Sequence, residues 1–469
     1  NSEPTETAPT ASPPSHASVP PSPPLPPPPT RFQTGTSVPS TRLSRALSFT
    51  SLGIRVAAGT VAELSTRLLS PTKATSSSSV DSLVATDANS ARLAASLCRM
   101  RGAALKLGQM LSIQDESLLP PALAKALAQV RQGADAMPAY QLEEVLRKEL
   151  GDDWRGRLDY FEDVPMAAAS LGQVHRAGYR GVDVAMKVQY PGVADSIESD
   201  LGNLSTLVNL TGLAPKGLFI ENVIRVGTEE LKLECDYLRE KDNQNEFRRL
   251  VANDDVLSRG GFTVPRAFDE LTTSRVLTSE YVTGGTIDEV AQMSQEERNR
   301  IARGILRLTM LELFRWRFMQ TDPNWGNFLY DVGTRRTHLI DFGAARRYDK
   351  GFVDGYLQIV WAAANRDEET LMDISHRMGF LTGDENDVML EAHKMSGFTV
   401  GEPFATNAAY NFKQNDISRR IGEHGQAFLT HRLTPPPEEV YTLHRKIAGA
   451  YNLCIKLGAV ISCRDILEE

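Results

Sequence analysis

The sequence predicts an α+β chain of two lobes, a small β-rich lobe followed by a larger helical one. Three observations carry this. Val182–Val188 (VDVAMKV) alternates apolar and polar residues as a half-buried strand does, and other strand-like segments surround it from Phe161 onward. Ile287–Phe318 and most of the chain after Asp341 show helical patterning instead. Between these helical regions, Gln320 to Gly343 (QTDPNWGNFLYDVGTRRTHLIDFG) reads as two short strands, Asn327–Tyr330 and His338–Ile340, around a turn at Gly333.

Taken in order, residues 1–80 form a segment apart from the globular body. Residues 1–40 hold half of the 26 prolines, a composition that buries little and favours a disordered or polyproline II linker, with an SH3-type ligand as the other reading. From Arg31 to Ala62 there is no acidic residue, while Arg31, Arg42, Arg45 and Arg55 sit among Ser and Thr. That is the composition of a mitochondrial transit sequence or its remnant. Val61, Leu64 and Leu68 share one face of a short amphipathic helix that would lie on a membrane or pack on the body. Residues 85–158 form a helical extension. In its run Leu93–Leu111, Lys106 and Gln109 share a helical face and Gly108 permits close approach of another backbone. Further helices are expected at Ala122–Arg131, after Pro120-Pro121, and at Tyr140–Leu150.

The β-rich lobe spans 159–282. Ala167–His175 joins two strand-like segments through a small-residue loop that contains Ala168, Ala169 and Ser170. Lys187 lies in the strand that follows. Leu231–Glu240 is strongly helical and offers that lysine three carboxylates, Glu234, Asp236 and Glu240. Glu234 and Asp236 point to different faces of one helix, Glu240 shares roughly a face with Asp236, and spacing alone does not choose among them. Phe262–Pro265 and Ser274–Tyr281 are two more β-prone segments ahead of Gly284-Gly285. The helical lobe, 283–469, then begins with Ile287–Phe318 leading directly to Asp322, and includes Val353–Asn365 and Leu443–Leu457.

The chemistry is concentrated at Asp322, Asn327 and Asp341. An Asp followed five residues later by Asn, and after a hairpin by Asp-Phe-Gly, is the spacing of a kinase-type phosphoryl-transfer site. One Asp orients a hydroxyl or water. The Asn and the second Asp each supply an oxygen to Mg²⁺, a hard cation that prefers such ligands. Val-Ala-Met-Lys187 fits the strand whose lysine contacts the α/β-phosphates of ATP. The loop in front of it has alanines where such sites carry glycines, so backbone freedom is lost, while Ser170 adds a hydroxyl donor. Ser279, Glu280, Tyr281 and Val282 occupy the place of the hinge that reads adenine. The two-lobed chain is therefore expected to be protein-kinase-like.

Composition narrows the remaining classes. At 41% hydrophobic and 23% charged residues the chain is ordinary for a globular protein. A net charge of −8 argues against nucleic acid as the main partner. Cys98, Cys235, Cys454 and Cys463 form no CxxC and read as reduced thiols, neither a disulfide frame nor a zinc site. No run of 18 apolar residues is present, so no membrane span is expected.

With these motifs in order, the chain resembles the UbiB family of atypical kinase-like proteins, and among them the mitochondrial members that support ubiquinone (coenzyme Q) biosynthesis. Lys106-Leu-Gly-Gln109 matches the family's KxGQ signature, Ala167–Ser170 its alanine-rich loop, and Glu234-Cys-Asp236 its ExD pair. The Asn324-Trp-Gly-Asn327 of the catalytic loop matches as well, and the likeness covers about residues 85 to 465. The resemblance implies that the KxGQ extension packs over the active site, on the ExD pair, and blocks peptide substrates. It also implies that Lys187 pairs with Glu240, that Asp322 is catalytic, and that Asn327 and Asp341 bind Mg²⁺. Implied partners are ATP, an anionic cardiolipin-type membrane surface, quinone-precursor lipids, the ubiquinone-biosynthesis enzyme complex and a second copy of the chain. The implied setting is the matrix face of the mitochondrial inner membrane. The His-Arg that precedes the catalytic Asp of protein kinases is replaced by Gln320-Thr321.

Three functions compete at this stage: an ATPase or phosphotransferase acting with quinone precursors, a protein kinase, and a nucleotide-binding scaffold without turnover. The missing His-Arg, the alanine loop and the KxGQ helix weigh against a protein kinase. The intact Asp322, Asn327 and Asp341 weigh against a scaffold.

Overall fold

The computed structural model describes residues 136–169, 171–199, 201–202 and 220–469. The N-terminal segment, the helices expected between Asp87 and Arg131, the KxGQ residues Lys106, Gly108 and Gln109, and Ser170 lie outside the described residues.

The small lobe is built on a five-stranded antiparallel sheet. Strands β1 (Tyr160–Phe161), β3 (Gly172–Tyr179), β4 (Val182–Gln189) and β6 (Val276–Glu280) lie side by side in that order, with β2 (Ala167–Ala168) also paired to β3. Alternation along β4 decides its two faces. Val184, Met186 and Val188 are fully buried, which turns Lys187 to the opposite face. The buried face packs on α1 (Ala139–Leu150) through Leu146, on Trp154, and on Leu231 of α2 (Ile220–Glu234).

Helix α3 (Tyr237–Ala252) bridges the lobes. Its first turns lie against β4, whereas Phe247 and Val251 belong to the core of the large lobe. The Phe247 ring sits 4.8 Å from Phe318 and 5.0 Å from Phe342, centroid to centroid, so the helix is packed directly on the Asp-Phe-Gly segment. The large-lobe core also includes α4 (Gln295–Met310), α5 (Lys350–Ala364) and the long α6 (Glu438–Lys456). Two small sheets shape its cleft side: β5 (Phe262–Thr263), β9 (Arg336–Leu339) and β8 (Phe328–Asp331) in that order, and β7 (Phe318–Gln320) with β10 (Ala345–Arg347).

Three sequence expectations change. The single helix expected over Leu231–Glu240 is two helices, broken at Cys235. Asp236 is the N-cap of α3, its side chain accepting the Arg239 N–H at 3.1 Å, and this local bond competes successfully with continued helix. Ile287–Phe318 is likewise interrupted. Ser294 caps α4, a π-helical turn covers Leu311–Arg315, and Arg317, at φ 49°, reverses the chain so that Phe318 enters a strand. Phe262–Thr263, inside the expected bounds of the small lobe, pairs in parallel with β9 and so joins the large lobe. The β8–β9 hairpin forms around Gly333, but the left-handed residue of its turn is Arg335, at φ 54°.

Cys235, Cys454 and Cys463 are free and buried. Burial pushes the Cys235 and Cys463 thiols up to about 12, as expected of inert reduced cysteines. Among the described residues no helix is long and apolar enough to cross a membrane.

Candidate active site

The cleft between the lobes collects Lys187, Glu240 and Asp341. The Lys187 Nζ donates to both Glu240 carboxylate oxygens, at 2.8 and 3.0 Å, and lies 3.5 Å from Asp341 Oδ2. It also sits over the Tyr237 ring, 5.1 Å from its centroid. Burial disfavours the ammonium form, but the Asp341 and Glu240 carboxylates outweigh it and hold the lysine well above its ordinary value. Burial pushes the Glu240 carboxyl up to about 7, against the pull of Lys187. The ammonium is thus fixed between two carboxyl groups, one from α3 and one from the Asp-Phe-Gly segment. Of the three carboxylates the sequence left open, Glu240 is the one that meets Lys187.

The other two members of that stretch have different places. Glu234, at the end of α2, lies against the Asp-Phe-Gly glycine, its Cγ 3.5 Å from where a Cβ on Gly343 would be. Asp236 caps α3. Two residues that sequence reasoning missed come from the same helix. Arg239 donates to the Gly343 carbonyl at 3.0 Å and to the Ala345 carbonyl, and Asn243 donates to the Phe342 carbonyl at 3.1 Å. Arg239 and Asn243 are four residues apart, a polar stripe beside Glu240 that a helical reading of this stretch contains.

The β8–β9 hairpin carries Asn327 and Asp341 to neighbouring positions. Phe328 is opposite Leu339, and the Ile340 N–H donates to the Asn327 carbonyl at 2.9 Å. The Asn327 amide donates to Asp322 Oδ2 at 3.2 Å, which links the catalytic-loop Asp to the hairpin. A buried amide whose N–H is committed in this way presents its oxygen elsewhere. The donor set of an amide oxygen and a carboxylate fits Mg²⁺, which typically takes one or two protein oxygens and fills its octahedron with phosphate and water.

Helix α6 supports the catalytic loop from below. Trp325 Nε1 donates to the Gly449 carbonyl at 3.4 Å, and a Cβ on Gly449 would meet Pro323 Cβ at 2.2 Å, so only glycine admits this approach. One turn earlier, Lys446 pairs with Glu312 at 3.4 Å, both buried, with Lys446 Nζ 5.9 Å from the Phe328 ring.

The small-residue loop is the turn of the β2–β3 hairpin. Ala168 pairs with Gln173, and the Ala169 N–H donates to the Gly172 carbonyl at 2.8 Å. At the expected hinge, Ser279 and Glu280 end β6, opposite Ala185 and Val184. The Glu280 and Tyr281 N–H groups are committed to the carbonyls of Arg266, at 2.8 Å, and Asp183, at 2.9 Å. An adenine edge would therefore have to find its N–H donor beyond them, from Val282 onward.

Residues 129–375 match the ABC1 atypical kinase-like domain. The chain is 44% identical over 433 residues to "Atypical kinase COQ8B, mitochondrial" of Rattus norvegicus, covering 92% of this chain and 81% of the relative. It is 40% identical to "Atypical kinase COQ8, mitochondrial" of Saccharomyces cerevisiae, covering 92% and 85%. It is also 44% identical to "Atypical kinase coq-8, mitochondrial" of Caenorhabditis elegans, of whose length it spans 58%. Among solved structures, Rv3197 of Mycobacterium tuberculosis, in complex with erythromycin, shares the fold with a TM-score of 0.57 at 24% identity, over 79% of this chain and 92% of that one.

Proposed function

Because the chain belongs to the ABC1 atypical kinase-like family, the UbiB family that its motifs resemble, we propose that it is an Mg²⁺-dependent ATPase or phosphotransferase that supports ubiquinone biosynthesis in mitochondria. The observation that carries this reading is the cleft in which Lys187 is held between Glu240 and Asp341, with Asp322 tied to Asn327 beside it.

Each residue has a role in that chemistry. Lys187, kept as an ammonium, binds the α/β-phosphates, and Glu240 aims it from α3. Asp322 orients the attacking water or hydroxyl, its carboxylate steadied by the Asn327 amide. Ala168, Ala169 and Ser170 would lie over the phosphates, and the adenine would dock beside the Ser279–Val282 segment with its N–H donor taken from Val282 onward. Mg²⁺, held by Asn327 and Asp341, would neutralise charge on the phosphates. Asp341 keeps its orientation through the backbone contacts of its own segment with α3.

The substrate side rests on the family likeness. On that likeness the KxGQ residues Lys106, Gly108 and Gln109 would cover the face where a kinase receives a peptide and pack on Glu234 and Asp236, leaving water or a quinone-precursor lipid as the phosphoryl acceptor. Work at the matrix face of the inner membrane, on an anionic lipid surface and beside the ubiquinone-making enzymes or a second copy of the chain, is what the same likeness implies, and the names of the relatives support the mitochondrial setting.

The test is ATP turnover by the purified protein, with and without Mg²⁺, cardiolipin-containing liposomes and a phenolic quinone precursor, with Asp341→Asn as control. Turnover raised by lipid and lost in the control is the expected result. Nucleotide binding without turnover under every condition would move the protein to the scaffold reading, and efficient phosphorylation of peptide arrays would move it to the protein kinases.

A further inference from the structure

Asp341 adopts φ 67°, a left-handed conformation that a residue with a Cβ keeps only when its surroundings over-determine it. The neighbouring backbone groups are held from α3 and from within the segment. The Phe342 N–H faces Glu240 Oε1 at 3.4 Å, the Phe342 carbonyl accepts from Asn243, the Gly343 N–H donates to Asp341 Oδ1 at 3.2 Å, and the Gly343 carbonyl accepts from Arg239. The Asp341 carbonyl itself is held from β7 of the same lobe. It accepts from Gln320 Nε2 at 2.7 Å, the shortest of these bonds. Gln320 is 6% exposed and closes β7, two residues before Asp322, with its Oε1 3.5 Å from the Asp322 N–H. Thr321 between them is buried and bonded to the Ala344 carbonyl at 2.9 Å, so the strand that carries Gln320 is itself fixed.

We propose that Gln320 is a positioning residue for the metal-binding carboxylate. Its amide N–H locks the Asp341 backbone in the left-handed conformation that aims the side chain into the cleft, and it ties that carboxylate to the loop bearing Asp322. A primary amide both donates and accepts, and so does an imidazole; an aliphatic side chain of the same length does neither. The residue type that takes the place of His-Arg at 320 and 321 is thus one that can still donate to the Asp-Phe-Gly segment. The inference rests on the reading of Asp341 as an Mg²⁺ ligand.

The experiment follows thermal stabilisation of the purified full chain by ATP as Mg²⁺ is titrated, and then the kcat and KM of turnover at saturating Mg²⁺. In Gln320→Leu the Mg²⁺ concentration for half of the metal-dependent stabilisation should rise about tenfold or more, while stabilisation by metal-free ATP stays within about twofold, since the buried hydrogen bond that holds the metal-bearing residue is lost. The same variant should lose kcat with little change in KM. Gln320→His, which keeps a donor, should stay within about threefold of the wild type on the metal axis. Gln320→Met carries the comparison where the leucine variant does not fold. A wild-type Mg²⁺ response in the leucine or methionine variant overturns the proposal, as does a histidine variant as impaired as they are, which would reveal a packing role. A wild type whose ATP stabilisation ignores Mg²⁺ overturns the metal reading itself, and the proposal with it.

Discussion

Arg445 of α6 and Glu230 of α2 form a buried ion pair across the two lobes, the Arg445 Nη2 lying 2.8 and 3.1 Å from the two carboxylate oxygens. Both side chains are nearly inaccessible, at 3% and 7% exposure. Burial opposes the guanidinium charge, but Glu230 outweighs it and holds Arg445 above its ordinary value. The pair joins the helix ahead of α3 to the helix beneath the catalytic loop, and so ties the small lobe to the large one.

Removing one partner leaves the other charged and unpaired in the interior. Arg445→Leu should cost about 3–5 kcal/mol of stability, and most of that loss should return in the double variant with Glu230→Leu. Urea unfolding of the two single variants and the double one measures it. Additive losses would mean that the two side chains are not coupled.

Gly449 has no room for a side chain, because Pro323 stands where its Cβ would be. Gly449→Ala should destabilise by about 1–3 kcal/mol through overpacking, and by displacing Pro323 should lower kcat more than it weakens ATP binding. Unfolding midpoints and steady-state turnover give the two numbers.

Asp236, which the family resemblance assigns to the ExD pair, also caps α3. The roles separate by substitution: Asp236→Ala should cost about 1 kcal/mol, while Asp236→Asn, a good cap without the charge, should be nearly neutral in stability. An asparagine variant that is stable but altered in activity would locate the charge, and not the cap, in function.

Glu312 is wholly buried beside Lys446, and burial pushes its carboxyl up to about 7. The folded protein then binds a proton below about 7 that the unfolded chain binds only below about 4.5, so this group's contribution to stability is lost as pH rises through that window. Compared with Glu312→Gln, the wild type should gain relative stability between pH 8 and pH 5, by no more than about 3 kcal/mol. Paired urea titrations at the two pH values test the sign. An unchanged difference would show that Lys446 keeps the carboxylate ionised throughout.

The candidate site was largely legible because its chemistry needs fixed residue types at short spacing. Asp322, Asn327 and Asp341 lie on one loop and one hairpin, and Lys187 follows from the alternation of β4. What the sequence withheld has physical causes. The family resemblance pointed to Glu240, but spacing alone did not, because the chain breaks at Cys235 and that break is decided by a side-chain cap that competes with a strong local helical pattern. Phe262–Thr263 went to the other lobe because strand pairing is a long-range choice. Arg445, Lys446 and Gly449 lie more than a hundred residues from the catalytic loop they support, and no local pattern points there.

The central claim is that this cleft binds ATP through Lys187 and a cation through Asp341. Equilibrium titration of ATP onto the purified chain, with and without Mg²⁺, tests it most directly. The wild type should bind more tightly with Mg²⁺, Asp341→Asn should lose that enhancement while still binding metal-free nucleotide, and Lys187→Ala should weaken both by about tenfold or more. Binding that ignores Mg²⁺ in the wild type, or that survives intact in Lys187→Ala, would contradict it.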